Sequence, residues 1–341
     1  MGISVLNTPG PACDEFIAHT PNSKLEHLPA WSFMIQQTFG HKSYYLVARD
    51  GDDVQGVLPL VQIKSRLFGN RMVSQAFSNY GGPLARNPLA LNALYERAVE
   101  LATENGCESI EFRNVDPMPF DLHVRTDKIT MYLPLAPDPD ALWKSLKSEI
   151  RNRVRKAEKA RISVSDGGPE LLDAFYSVWT VRMRQLGTPC YPKRLFQGII
   201  DAFAGNTRIF LVYLGQLVIG GAFVYCYNGL VQMRWVATLT EHNYLSPNVL
   251  LYWAVINHYC LADASCFDFG RSTVGSTQHE FKRRWGAQAI QLNYQYWSAP
   301  GKELSLATPD NPKYSKKVEI WKKLPLWMTR LVGPYISRSL P

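Results

Sequence analysis

The run Cys266-Phe267-Asp268-Phe269-Gly270-Arg271-Ser272, continued by Glu280-Phe281-Lys282-Arg283-Arg284-Trp285-Gly286-Ala287, constrains the fold more tightly than any other stretch of the chain. Cys266 to Phe269 reads as a short buried strand, Gly270 lets the backbone turn, and Ser276 or Thr277 caps a helix that carries Lys282. Cations therefore gather at the carboxyl end of a strand, beside the free N–H groups of a helix start. That is where an alternating α/β fold presents a ligand site. Two readings of Asp268 stay open: it pairs with Arg271 or Arg284 to hold strand and helix together, or it serves chemistry at the strand end.

A chain of 341 residues with 46% hydrophobic content is long and apolar enough for two cores. In the first half, Tyr44 to Arg49 and Val54 to Ile63 form a hairpin around Asp50-Gly51-Asp52-Asp53. Leu89 to Asn105 has helical periodicity, and Glu108 to Arg113 and Lys128 to Leu133 supply further strands. Pro134, Pro137 and Pro139 mark the boundary between halves. In the second half, helices over 170–186 and 192–203 precede three strands, Thr207 to Tyr213, Leu217 to Cys226 and Leu230 to Thr238, with Asn228-Gly229 as a hairpin turn. The expected domains are 1–133, 134–300 and a tail at 301–341. The fold class is α/β, with mixed, mostly antiparallel sheets flanked by helices.

One long helix is expected from Asp140 to Ala160. Leu142, Trp143, Leu146, Ile150, Val154 and Ala157 fall on one side, and Lys144, Lys147, Arg151 and Arg155 on nearly the opposite one. Cations outnumber acids, so pairing along the helix cannot neutralise them. Arg151 and Arg155 are the candidate phosphate-facing pair, because the guanidinium fork matches phosphate oxygens two at a time. Arg153 falls inside the apolar stripe and needs a carboxylate or phosphate there. In the later strand Met233-Arg234-Trp235-Val236, alternation places Arg234 and Trp235 on opposite faces.

A net charge of +8 favours anionic partners: nucleotide phosphates, coenzyme A, tRNA or a membrane leaflet. The six cysteines lie far apart, without metal-ligand spacing, and read as reduced thiols; no metal is expected. Asp14 and Glu15 precede any long apolar run, so a cytoplasmic location is expected. From Lys313 to Pro341, seven cations and one acid are mixed with Trp321, Leu324, Leu326, Trp327, Met328 and Leu331. Such a segment either lies in a membrane interface or docks as a terminal helix on its own domain.

Phe267 to Ser272, Glu280 to Ala287 and an upstream Arg151-Asn152-Arg153-Val154-Arg155-Lys156-Ala157-Glu158-Lys159 together resemble the FemAB family, and most closely its branch associated with exosortase/PEP-CTERM exopolysaccharide systems. The likeness spans Lys42 to Trp297. It implies two tandem domains of the GNAT (N-acetyltransferase) type and transfer of an acyl or aminoacyl group to an amine of a cell-envelope precursor, exopolysaccharide or peptidoglycan. The donor would be acyl-coenzyme A or aminoacyl-tRNA, and the acceptor a phosphorylated sugar or lipid-linked precursor. Such transfer needs a base for the amine and a donor for the oxyanion. By the family's phenylalanine–lysine motif, Lys282 is the candidate for the oxyanion, with Asp268, Glu280 and His279 as candidate bases. The likeness adds Arg271, Ser272, Arg234, Trp235, Tyr244 and Asn248 as substrate-binding candidates, and Tyr80 and Gly81 in a turn near the acceptor.

The chain departs from these patterns in three places. Arg153 stands where the family commonly has a small polar residue, the long helical arm of some members is missing, and neither half carries the glycine-rich loop that grips the coenzyme A pyrophosphate. The last departure weighs against a thioester donor. The alternative from another class is a non-catalytic module holding a nucleotide-sugar, lipid phosphate or RNA in the same basic cleft.

Overall fold

The computed structural model describes residues 2–6, 10–65, 69–304 and 312–340. The chain divides into two compact units. One holds the described residues through Lys128, those of 291–311 and those from Ile336 onward; the other holds Ile129–Ile290 and Pro312–Tyr335.

Each unit is built on an eight-stranded sheet, and each sheet contains the same sequence of moves. In the first, strands Lys42–Asp50, Asp53–Ser65 and Gly69–Val73 form an antiparallel meander, helix Pro88–Glu104 crosses over, and Ser109–Asn114 returns parallel to Gly69–Val73. In the second, Thr207–Leu214, Leu217–Tyr227 and Leu230–Thr238 form the meander, helix Pro247–Leu261 crosses over, and Cys266–Asp268 returns parallel to Leu230–Thr238. A parallel return needs a crossover element, so the helix is dictated by the strand order. The mixed α/β class expected from the sequence is the class observed.

The outer strands correct two sequence-level assignments. Lys128–Pro134, expected in the first half, adds antiparallel to Cys266–Asp268 in the second sheet. Asn293–Ser298, a strand not assigned from the sequence and lying within the expected 134–300 domain, adds antiparallel to Ser109–Asn114 in the first. The expected helix over 140–160 is also two helices, Pro139–Ser145 and Ser148–Lys159. Leu146 and Lys147 between them have extended backbone, and Leu146 is buried in the same core as Ile150, Val154 and Ala157. Core packing here outweighs the continuous helical propensity of the segment. The apolar stripe survives the break, because Leu142 and Trp143 pack against that core too.

The tail region contains helices Pro312–Lys323 and Leu326–Ser337; positions 305–311 and 341 of the expected tail lie outside the described residues. Among the described residues no helix is long and apolar enough to cross a membrane.

Candidate active site

The second unit brings its best motif together around one buried lysine. Helix Thr277–Arg284 starts at Ser276, whose Oγ accepts from His279 N–H at 3.2 Å. Trp285 lies one turn on from both Phe281 and Lys282, at i+4 and i+3. Phe281 and Trp285 pack against Tyr252, with Phe269 stacked on the same tyrosine at 5.4 Å. This aromatic cluster fixes the helix on its domain and carries Lys282 inward, where it is 6% exposed.

Lys282 Nζ donates to Gly270 O at 2.7 Å and to Arg271 O at 3.1 Å. Those carbonyls face it because Gly270 adopts φ +76°, a left-handed turn that a side chain would strain. Burial pulls the lysine down to about 8, with the nearby Asp268 carboxylate opposing the shift and Arg271 and Arg234 reinforcing it. An ammonium has three donors, and these two carbonyls take two of them.

Asp268 is 1% exposed at the end of its strand. Its Oδ1 accepts from Thr130 Oγ1 and from Gly270 N–H, both at 2.7 Å. Thr130 comes from Lys128–Pro134, 138 residues away, and no sequence signal marks it. Arg284, an alternative partner for Asp268 from the sequence, pairs instead with Glu149 at 2.8 Å.

The alternation expected around Arg234 is interrupted. Trp235 lies opposite Phe223 and Met233 opposite Val224, so Arg234 is the extra residue of a β-bulge. A bulge flips the faces beyond it. Met233 packs into the core with Val255 and Ile256, whereas Trp235 packs on Phe196 and Phe223. The Arg234 guanidinium sits 5.7 Å over the Trp235 ring and close enough to Lys282 to depress its proton affinity. Ser272 is buried, and its Oγ has no hydrogen-bond partner among the described residues.

The Glu280 carboxylate is tied to Arg283 at 2.6 Å on the outer side of the helix, which directs it away from Lys282. His279 Nδ1 accepts from Gly275 N–H at 3.1 Å, inside the helix-start turn. Tyr244 is exposed and Asn248 half-buried at the start of helix Pro247–Leu261. Arg151 is half-buried, its Nε unpartnered among the described residues, and exposed Arg155 lies 5.7 Å over the Trp143 ring. Trp143 itself meets Trp253 at 4.7 Å, an aromatic surface that the sequence reading missed. Arg153 is half-buried, and its Nε donates to the hydroxyl of Ser246 at 3.4 Å.

Tyr80 and Gly81 belong to the first unit. They line a cleft of about 180 Å³ with Lys24, Arg113, Asn114 and Met118. Lys24 is buried, with its Nζ 5.7 Å over the Tyr80 ring. His27 in the same lining is pushed down to about 3 by burial and so is neutral. Gly81 has φ +144°, and a Cβ there would overlap Gln75 Cβ. Gly81→Ala is expected to destabilise the first unit by about 1–3 kcal/mol, read as a lower urea midpoint; an unchanged midpoint would refute the tight-turn account.

The comparisons with known proteins agree with this architecture. Residues 144–283 match the family model for the acetyltransferase (GNAT) domain, within the second unit. The structure is similar to that of FemX, with a TM-score of 0.65 at 16% identity, covering 86% of this chain and 97% of that one. The fold is the tandem GNAT fold. It is also similar to the C-terminal domain of a putative lysylphosphatidylglycerol synthetase from Agrobacterium fabrum, with TM-score 0.57, 9% identity, and 85% and 91% of the two chains covered. L-PGS from Bacillus licheniformis gives a TM-score of 0.54 at 11% identity, covering 90% and 98%. No curated protein matches the sequence significantly. The second unit thus carries a GNAT-type acyltransferase domain, and the buried lysine lies inside the matched segment.

Proposed function

We propose that the chain transfers an aminoacyl or acyl group to an amine of a cell-envelope precursor, with Lys282 as the group that meets the oxyanion. The observation that carries this reading is the burial of Lys282 at the strand end, with two donors taken by backbone carbonyls and its proton affinity lowered to about 8. A positioned cation in a water-poor site stabilises developing negative charge far more than a solvated one. Asp268, engaged by Thr130 and Gly270, acts on Lys282 by holding its charge.

Arg151 and Arg155 on their basic helix, with Trp143 beside Arg155, suit a nucleic-acid backbone and a base. Together with the missing coenzyme A loop, this favours aminoacyl-tRNA as donor. The name of the Agrobacterium fabrum neighbour joins a lysyl group to a phospholipid, an aminoacyl transfer whose acceptor is a hydroxyl where the reaction proposed here uses an amine. The resemblance to the exosortase-associated branch points to an exopolysaccharide precursor as acceptor. Within the first unit, buried Lys24 beside Tyr80 is a cation suited to a phosphate group.

Donor binding tests the reading. Charged tRNA is expected to bind with affinity that falls at least tenfold between 50 and 200 mM salt, and about tenfold in Arg151→Ala/Arg155→Ala. Binding of acetyl-coenzyme A alone would make the donor a thioester. Binding of neither would overturn the transferase reading.

A further inference from the structure

Helix Leu326–Ser337 is built inside out. Its inward face is polar or small: Thr329 and Ser337 are buried, and Gly333 sits so close to Cys190 that a Cβ would lie 2.8 Å from the sulfur. Arg330 anchors the same face, donating from Nε to Thr180 Oγ1 at 2.9 Å and from Nη2 to Ser177 Oγ at 3.3 Å. Its outward face is apolar. Trp327, Leu331 and Tyr335 are 64%, 60% and 70% exposed at i, i+4 and i+8, and Val332 beside them is 38% exposed. A helix docked for the sake of its own core would turn this stripe inward.

The surroundings are cationic. Lys316, Lys317, Lys322 and Lys323 are exposed on the preceding helix, where Glu319 is the one acid and is tied to Lys322 at 2.7 Å. Ile320 adds a further exposed apolar side chain, 62% accessible. Contiguous exposed apolar surface marks a docking site. Here it combines a tryptophan and a tyrosine, the residues suited to the lipid headgroup level, with lysines suited to anionic headgroups.

We propose that this outward face docks on an anionic phospholipid bilayer, holding the protein at a membrane surface without crossing it. Lysines near such a surface contribute about fivefold each in affinity. A protein partner would also accept the apolar stripe, but the lysine-rich helix beside it matches an anionic lipid surface.

Co-sedimentation of the full chain with vesicles of phosphatidylcholine containing 30% phosphatidylglycerol, against phosphatidylcholine alone, tests this. Binding is expected on the anionic vesicles, falling at least tenfold with Leu331→Glu and about tenfold or more with Lys322→Gln/Lys323→Gln. Leu331 is exposed, so its variant should melt like the parent, which separates lost binding from lost folding. Equal binding by Leu331→Glu, or equal binding to both vesicle types, would overturn the proposal. So would a dimer in light scattering that Leu331→Glu dissociates, because a second copy would then own the face. The assay reads no turnover, so its outcome is separate from that of the transferase reading.

Discussion

Lys282→Ala is expected to lower kcat/KM for transfer by about 10²- to 10³-fold, the usual loss when one preorganised oxyanion donor is removed. Donor affinity should be nearly unchanged, because Arg151 and Arg155 lie on another element. A loss confined to KM would mean that Lys282 only binds substrate. The pH profile separates two chemical roles. With its proton affinity near 8, Lys282 is an ammonium at neutral pH and an amine above. As an electrophile it requires the charged form, so kcat should fall through an apparent pKa of about 8 as pH rises. As a general base it would give the opposite limb, rising through the same pH. Lys282→Arg keeps the charge at all accessible pH, and any activity it retains should lose the alkaline fall. An alkaline rise in the parent protein would overturn the oxyanion role and assign proton abstraction to this side chain.

The strand–glycine–helix unit was legible because its signals are local. Gly270 turns the backbone and Ser276 caps the helix that carries Lys282. The second meander and the hairpin that opens the first were legible for the same reason, since hairpin turns fix the register of adjacent strands, whereas strand Gly69–Val73 was not assigned from the sequence. What escaped the sequence was non-local pairing. Lys128–Pro134 alternates apolar and polar residues like any edge-side strand, and nothing in that pattern states which sheet will accept it. Thr130 reaches Asp268 only through that choice. The bulge at Arg234 was hidden too, because an extra residue in a strand leaves the composition unchanged while inverting every face beyond it. The break at Leu146 shows a third limit: propensity favoured one helix, and the core took Leu146 in an extended conformation.

Asp268 is the second residue whose replacement should have a large effect, through stability and pH. Asp268→Ala removes the acceptor for Thr130 and Gly270 and the charge that offsets Lys282, so a loss of about 3–5 kcal/mol is expected. Asp268→Asn is the sharper test, because the amide oxygen can still accept both hydrogen bonds while the charge is gone. Lys282 then loses its one raising influence, and its proton affinity should fall below 8. The sign follows from linkage. A lysine that is harder to protonate in the folded chain than in the unfolded one penalises folding fully below its folded pKa. That penalty is relieved as pH rises from about 8 to the unfolded value of 10.5. The parent protein should therefore gain stability from this group across that window, and the variant's window should open at lower pH. The attraction between Asp268 and Lys282 exists while the lysine is charged, so the gap between parent and Asp268→Asn should narrow with pH. Urea unfolding should show about 3 kcal/mol at pH 7 and about 1 kcal/mol at pH 10. A gap that does not change with pH would mean that Asp268 supports the loop through its hydrogen bonds alone, and the charge coupling assigned to the pair would have to be withdrawn.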